Sequence, residues 1–136
     1  MEWTGGCLCG AVRYRAGAAP DYASYCHCAM CRKASGAPFV GFVQFPQGSV
    51  AWTRGEPAQY RSSPGVTRRF CAGCGSPLTF EADGLVFMTL GSLDQPEQVA
   101  FDCHTYTSSR LPAITLADGL PHYPGPRGGK GGRPLE

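Results

Sequence analysis

Charge is the first thing this chain has little of. Asp, Glu, Lys and Arg together make up 16% of its 136 residues, and the net charge is +2. The basic residues are scattered rather than stacked on one periodic face, so no nucleic-acid partner is expected. Long apolar runs are missing too. No stretch approaches the ~20 residues of a membrane helix, and no charged segment followed by an apolar one marks a secretory leader. A soluble, cytoplasmic protein without membrane contact is the expectation. A reducing compartment disfavours disulfides and makes closely spaced cysteines metal-binding or redox-active. Helical periodicity is the third scarcity, with one short candidate around Ala29–Ala34 before Ser35-Gly36.

Turn formers, in contrast, are abundant. Gly 19 and Pro 12 predict short strands joined by many loops. Val12 and Tyr14 alternate with Arg13 and Arg15, the period-two pattern of a half-buried strand. Phe39–Phe45 reads as a strand ending at Pro46. Ser49–Thr53 and Ala58–Arg61, separated by Arg54-Gly55-Glu56-Pro57, read as a hairpin. Val66–Phe70 leads into a cysteine pair, Leu78–Phe80 leads out of it, and Leu85–Leu90 follows Asp83-Gly84, a strong turn signal. Val99–Tyr106 is the last such run. A single mainly β domain over residues 1–123 is expected, followed by a flexible Gly/Pro-rich tail, 124–136, with nothing to bury.

Seven of the eight cysteines fall into three clusters, Cys7-x-Cys9, Cys26-His27-Cys28-x-x-Cys31 and Cys71-x-x-Cys74. Pairing the first with the last gives four thiolates from two distant corners, the donor set of a structural zinc, and closes a loop of roughly sixty residues. Cys26, Cys28 and Cys31 remain, the three-ligand set of a catalytic zinc that keeps one position open. Two zinc ions (Zn2+) per chain, one structural and one catalytic, are the expectation. Three thiolates leave a zinc site with a net charge of about −1, a poor activator of water. A thiol substrate suits such a site better, because coordination deprotonates a sulfur whose free pKa is ~8.5.

Spacing leaves other partitions open. The second set is equally compatible with a closed site completed by Cys103, His27, His104 or a neighbouring chain, which would make the protein a non-enzymatic zinc-stabilised binding module with both metals structural. In extended chain His27 points away from Cys26 and Cys28 and reads as a non-ligand. Cys103 reads as a buried small hydrophobe. Arg32 and Lys33 read either as solvated charges or as groups that hold an anionic substrate or hydrogen-bond the sulfurs. No residue stands out as a proton donor.

Gly6-Cys7-Leu8-Cys9-Gly10, Cys26-His27-Cys28-Ala29-Met30-Cys31 and Arg69-Phe70-Cys71-Ala72-Gly73-Cys74-Gly75, in that order, resemble the glutathione-dependent formaldehyde-activating enzyme family, also called centromere protein V-like. Leu90-Gly91-Ser92-Leu93-Asp94, His104 with Tyr106, and Asp118-Gly119-Leu120-Pro121 agree with its later motifs. The resemblance implies a beta-tent fold, in which short antiparallel sheets are joined by a structural zinc on Cys7, Cys9, Cys71 and Cys74. It implies a catalytic zinc on Cys26, Cys28 and Cys31. The activity it implies is that of a carbon-sulfur lyase, S-hydroxymethylglutathione synthase-like, with glutathione as co-substrate and formaldehyde as the aldehyde. Ala113 follows Pro112 where family members often carry tryptophan, so the glutathione pocket does not carry over residue by residue.

Overall fold

The computed structural model describes residues 2–127. In chain order the strands are β1 (Trp3–Gly6), β2 (Arg13–Ala16), β3 (Tyr22–Cys26), β4 (Val40–Phe45) and β5 (Val50–Arg54). These are followed by β6 (Ala58–Ser63), β7 (Val66–Phe70), β8 (Pro77–Ala82), β9 (Leu85–Thr89) and β10 (Cys103–Thr105). One α-helix, α1 (Ala29–Ser35), lies between β3 and β4, and single 3-10 turns cover Leu90–Ser92, Pro96–Gln98 and Thr107–Ser109. The chain is mainly β, as expected. It divides into two compact units, Met1–Tyr22 with Val43–Val99, and Ala23–Phe42 with Ala100–Glu136.

In the first unit β1, β2 and β5 form an antiparallel sheet in that order. The alternation read from the sequence holds in β2, with Tyr14 and Ala16 buried between Arg13 and Arg15. Strand β1 packs over Tyr14, whose hydroxyl meets Ser92 Oγ at 2.6 Å. Gly5 opposes Tyr14 in register, and a side chain there would strike the Tyr14 hydroxyl and the Ser92 carbonyl, so only glycine permits that approach. Strands β6 to β9 form an antiparallel meander. Asp83 and Gly84 both take positive φ between Ala82 and Leu85, which is the primed hairpin turn that Asp-Gly favours.

The hairpin expected between β5 and β6 does not form. Strand β5 pairs with β2, and β6 pairs with β7. Gly55 sits in the left-handed region with its Cα against the Ala11 carbonyl, so the Arg54-to-Pro57 link carries the chain from one sheet to the next instead of folding it back.

In the second unit β3 lies between β10 and β4. The β10–β3 pair is parallel, with Cys103, His104 and Thr105 opposite Ser24, Tyr25 and Cys26. That differs from an all-antiparallel expectation. The pairing is anchored at its start by Asp102, whose N–H donates to the Ala23 carbonyl while its carboxylate accepts from the Ala23 N–H, both at 2.9 Å. Phe101 stacks on Tyr25 with ring centroids 3.9 Å apart. Of the expected tail, residues 128–136 lie outside the described residues. Pro124 and Gly125 accept hydrogen bonds from Ser108 Oγ and the Tyr106 N–H at 2.8 and 2.9 Å.

Candidate metal centres and thiol site

Cys7 and Cys9 lie in the turn after β1, and Cys71 and Cys74 in the turn after β7. The two turns share one construction. The Cys7 N–H donates to the Val12 carbonyl and the Cys71 N–H to the Ser76 carbonyl, both at 3.0 Å. A left-handed glycine, Gly10 or Gly75, lets each turn close tightly. Backbone N–H groups point at the sulfurs, from Val12 to Cys7 Sγ at 3.2 Å and from Cys74 to Cys71 Sγ at 3.4 Å. All four sulfurs lie within 4.8 Å of one another, with Cys7 to Cys9 at 3.6 Å and Cys9 to Cys71 at 3.7 Å. Tetrahedral zinc with Zn–S bonds of ~2.3 Å sets sulfurs about 3.8 Å apart, so the spacing fits that ion.

The acid–base character of the cluster fits as well. Hydrogen bonds from Ser76 push the Cys74 thiol down to about 5. Cys9 goes up to about 11, because neighbouring sulfurs outweigh the Ala11 N–H that favours its thiolate. Four groups sharing one spot cannot all ionise unless a cation stands among them.

The second set is local. Cys26 ends β3, Cys28 caps α1 and Cys31 sits in its first turn. The Cys31 N–H donates to Cys28 Sγ at 3.3 Å. Glycine again ends the element, with left-handed Gly36 donating its N–H to the Arg32 carbonyl at 2.7 Å. The three sulfurs lie within 4.8 Å of one another, and among the described residues no fourth Cys, His, Asp or Glu donor joins them. Hydrogen bonds from Cys26 and Cys31 push the Cys28 thiol down to about 2, while Cys28 and Cys31, with burial, push Cys26 far up. Cys26 and Cys31 are buried, and Cys28 is partly open to solvent.

Neither His27, Cys103 nor His104 belongs to this group. Cys103 is buried in β10. His27 and His104 belong instead to a buried hydrogen-bond chain that sequence reasoning missed. His104 Nε2 lies 2.7 Å from Asp118 Oδ2, and His104 Nδ1 lies 2.9 Å from His27 Nε2. Burial raises the Asp118 carboxyl, but the His104 hydrogen bond and the Leu120 N–H outweigh it and hold it below the usual carboxylate range. The ionised carboxylate can only accept, so a neutral His104 imidazole carries its proton on Nε2 and accepts at Nδ1. His27 therefore donates from Nε2 and keeps a bare lone pair at Nδ1, which is buried and has no hydrogen-bond partner among the described residues. His122 stands beside His104, with its donor atom and those of His104 and Asp118 within 4.8 Å of one another. Both ring nitrogens of His104 are already engaged, so the group reads as an internal hydrogen-bond chain. Its members lie 77 and 14 positions apart, and no spacing rule could have joined them.

Arg32 acts as a clamp. Its Nη1 donates to the His27 carbonyl at 3.0 Å and to the Ser109 carbonyl at 2.7 Å, tying the cysteine loop to the 3-10 turn after β10. Lys33 is exposed, as is Ala113. Tyr106, between β10 and that turn, has φ 54° and ψ 38° and is 40% exposed.

The profile of the glutathione-dependent formaldehyde-activating enzyme family matches residues 2–109. An uncharacterized lyase of Schizosaccharomyces pombe is 35% identical over 79 residues, which cover 58% of this chain and 57% of that protein. The chain thus spans little more than half the length of this curated relative. A crystal structure of a Rhodobacter sphaeroides protein has a TM-score of 0.57 at 21% identity, covering 71% of this chain and 90% of the other, a likeness of fold alone. The family match spans most of the chain and takes in all three cysteine clusters, in order and gathered in space as two groups: the protein belongs to the glutathione-dependent formaldehyde-activating enzyme family.

Proposed function

We propose that the protein is a zinc-dependent carbon-sulfur lyase that forms or cleaves the adduct of a thiol, glutathione or a similar one, with formaldehyde or a related small aldehyde. Cys7, Cys9, Cys71 and Cys74 would hold a structural zinc, and Cys26, Cys28 and Cys31 a second one. Held by those three cysteines, a second zinc would supply a Lewis acid that lowers the pKa of a substrate thiol. The observation that carries the reading is the three-sulfur group, which has no fourth Cys, His, Asp or Glu donor among the described residues and is partly open at Cys28.

The chain's own residues supply position. The Cys31 N–H holds Cys28 Sγ, and the Arg32 clamp fixes the loop that carries all three sulfurs. In the forward direction the thiol sulfur bonds to the carbonyl carbon, the carbon-oxygen π pair moves to oxygen, and the thiol proton ends on that oxygen. The gain is effective concentration and thiolate formation. No described helix is long and apolar enough to cross a membrane, and the cytoplasm, where glutathione is abundant, is the compartment we propose.

Exchange NMR of glutathione and formaldehyde with the zinc-loaded protein tests this. Acceleration above the uncatalysed background that disappears in Cys28→Ser is the expected result. No acceleration would overturn the reading and leave a binding module with two metals.

A further inference from the structure

The reaction proposed above ends with a proton and a pair of electrons on oxygen, and none of the seven clustered cysteines serves that atom. Tyr106 is placed to do so. Among the described residues only two non-glycine residues take positive φ, Asp83 and Tyr106. Asp83 is explained by its Asp-Gly hairpin. A bulky aromatic in the left-handed region is a genuine outlier, and such conformations persist where the surroundings impose them, often at functional sites.

Here the surroundings do impose it. The Tyr106 N–H donates to the Gly125 carbonyl at 2.9 Å and its carbonyl accepts from the Ser109 N–H at 3.1 Å. The next residue is pinned as well, with the Thr107 N–H and Oγ1 both donating to the Tyr123 carbonyl at 3.0 Å. Arg32 holds the far end of the turn through Ser109.

The strand register says what this bend is next to. Strands β3 and β10 run parallel, Thr105 lies opposite Cys26, and the His27 N–H donates to the Thr105 carbonyl at 3.1 Å. Beyond the ends of the two strands, one chain continues into Cys26-His27-Cys28 and the other into Tyr106. The left-handed turn at this point takes the side chain out of strand alternation. With Thr105 opposite Cys26, Tyr106 is the first residue past the strand end on the chain beside Cys26-His27-Cys28, and its phenol is raised first by burial and then by the three cysteines. Its hydroxyl makes no hydrogen bond within the described residues, and the residue is 40% exposed.

We propose that Tyr106 is the oxygen-recognising residue of the three-cysteine site, its phenol donating a hydrogen bond to the aldehyde-derived oxygen of the thiol adduct. This rests on the thiol–aldehyde reading. The role requires a neutral phenol, which a tyrosine with its ordinary pKa of ~10 is at neutral pH. It orients the carbonyl for attack and stabilises the charge that develops on oxygen as the carbon-sulfur bond forms. In the reverse direction it holds the hydroxymethyl group as that bond breaks.

Tyr106→Phe removes the hydroxyl and keeps the ring. In the zinc-loaded protein we expect the catalysed exchange between glutathione and formaldehyde to fall by about 10²-fold, with zinc content and melting temperature unchanged. A second readout needs no turnover. 2-Mercaptoethanol and propane-1-thiol differ by a hydroxyl in place of a methyl group, and the ratio of their affinities reports on a donor near the open position. Tyr106→Phe should lower that ratio by about three- to tenfold, the worth of one hydrogen bond. Exchange within twofold of the wild type together with an unchanged ratio would overturn the proposal. If the wild type itself gives no acceleration, the formaldehyde reading fails, and the thiol ratio alone decides Tyr106: a fall supports it and no change overturns it.

Discussion

Replacing one cysteine in each group should have unequal effects on stability. The four-sulfur group joins Cys9 to Cys71 across 62 positions, whereas Cys26 and Cys31 are five positions apart. The entropy of closing a loop grows as three-halves RT ln n, so pinning the longer loop is worth about 2 kcal/mol more than pinning the shorter one. For a domain of this size that is a difference in melting temperature of about 6 to 10 °C. Cys74→Ser should therefore melt well below Cys28→Ser when both are followed by circular dichroism after zinc loading. Metal analysis should show that each variant has lost one zinc and kept the other. Equal falls in melting temperature, or a larger fall for Cys28→Ser, would refute the division into a folding metal and a reaction metal.

Two further outcomes follow from polar contacts. Asp94 is held below the usual carboxylate range, first by the Arg13 guanidinium and then by the Thr4 hydroxyl. A depressed acid contributes stability above its unfolded pKa of ~3.9 and loses it as pH falls through the folded value. Asp94→Asn should thus lower the melting temperature at pH 7, modestly since the pair is part-exposed, and not at a pH where Asp94 is itself protonated, so that the fall below about pH 4 is flatter; an unchanged acid profile would refute it. Asp118→Ala should leave the buried His104 Nε2–H without an acceptor and cost about 1–3 kcal/mol in urea unfolding. Asp118→Asn, which keeps an acceptor, should cost less; equal losses would show that the hydrogen bond contributes nothing.

The cysteine clusters were legible because short cysteine turns are written in consecutive residues: Cys7-x-Cys9 and Cys71-x-x-Cys74 each carry their own glycine and their own N–H-to-sulfur bonds. Strand β2 and the Asp83-Gly84 hairpin were legible for the same reason, since period two and primed turns are local. What failed was pairing. Whether β5 turns back on β6 or crosses to β2 depends on the fit of Gly55 against Ala11, and the parallel partner of β3 lies some eighty residues downstream. The Asp118–His104–His27 chain and the bend at Tyr106 arise only from such pairings. For that reason the two cysteine groups could be named from the sequence and the residues packed around them could not.

The parallel β10–β3 pair also sets an order of events during synthesis. The last clustered cysteine is Cys74, whereas β10 begins at Cys103, and the carbonyls that pin Tyr106 and Thr107 belong to Gly125 and Tyr123. A chain emerging from the ribosome has all seven clustered sulfurs in hand before the strand that carries Tyr106 has been made. The two sulfur groups can therefore gather first, and the strand and turn that carry Tyr106 are then laid beside them.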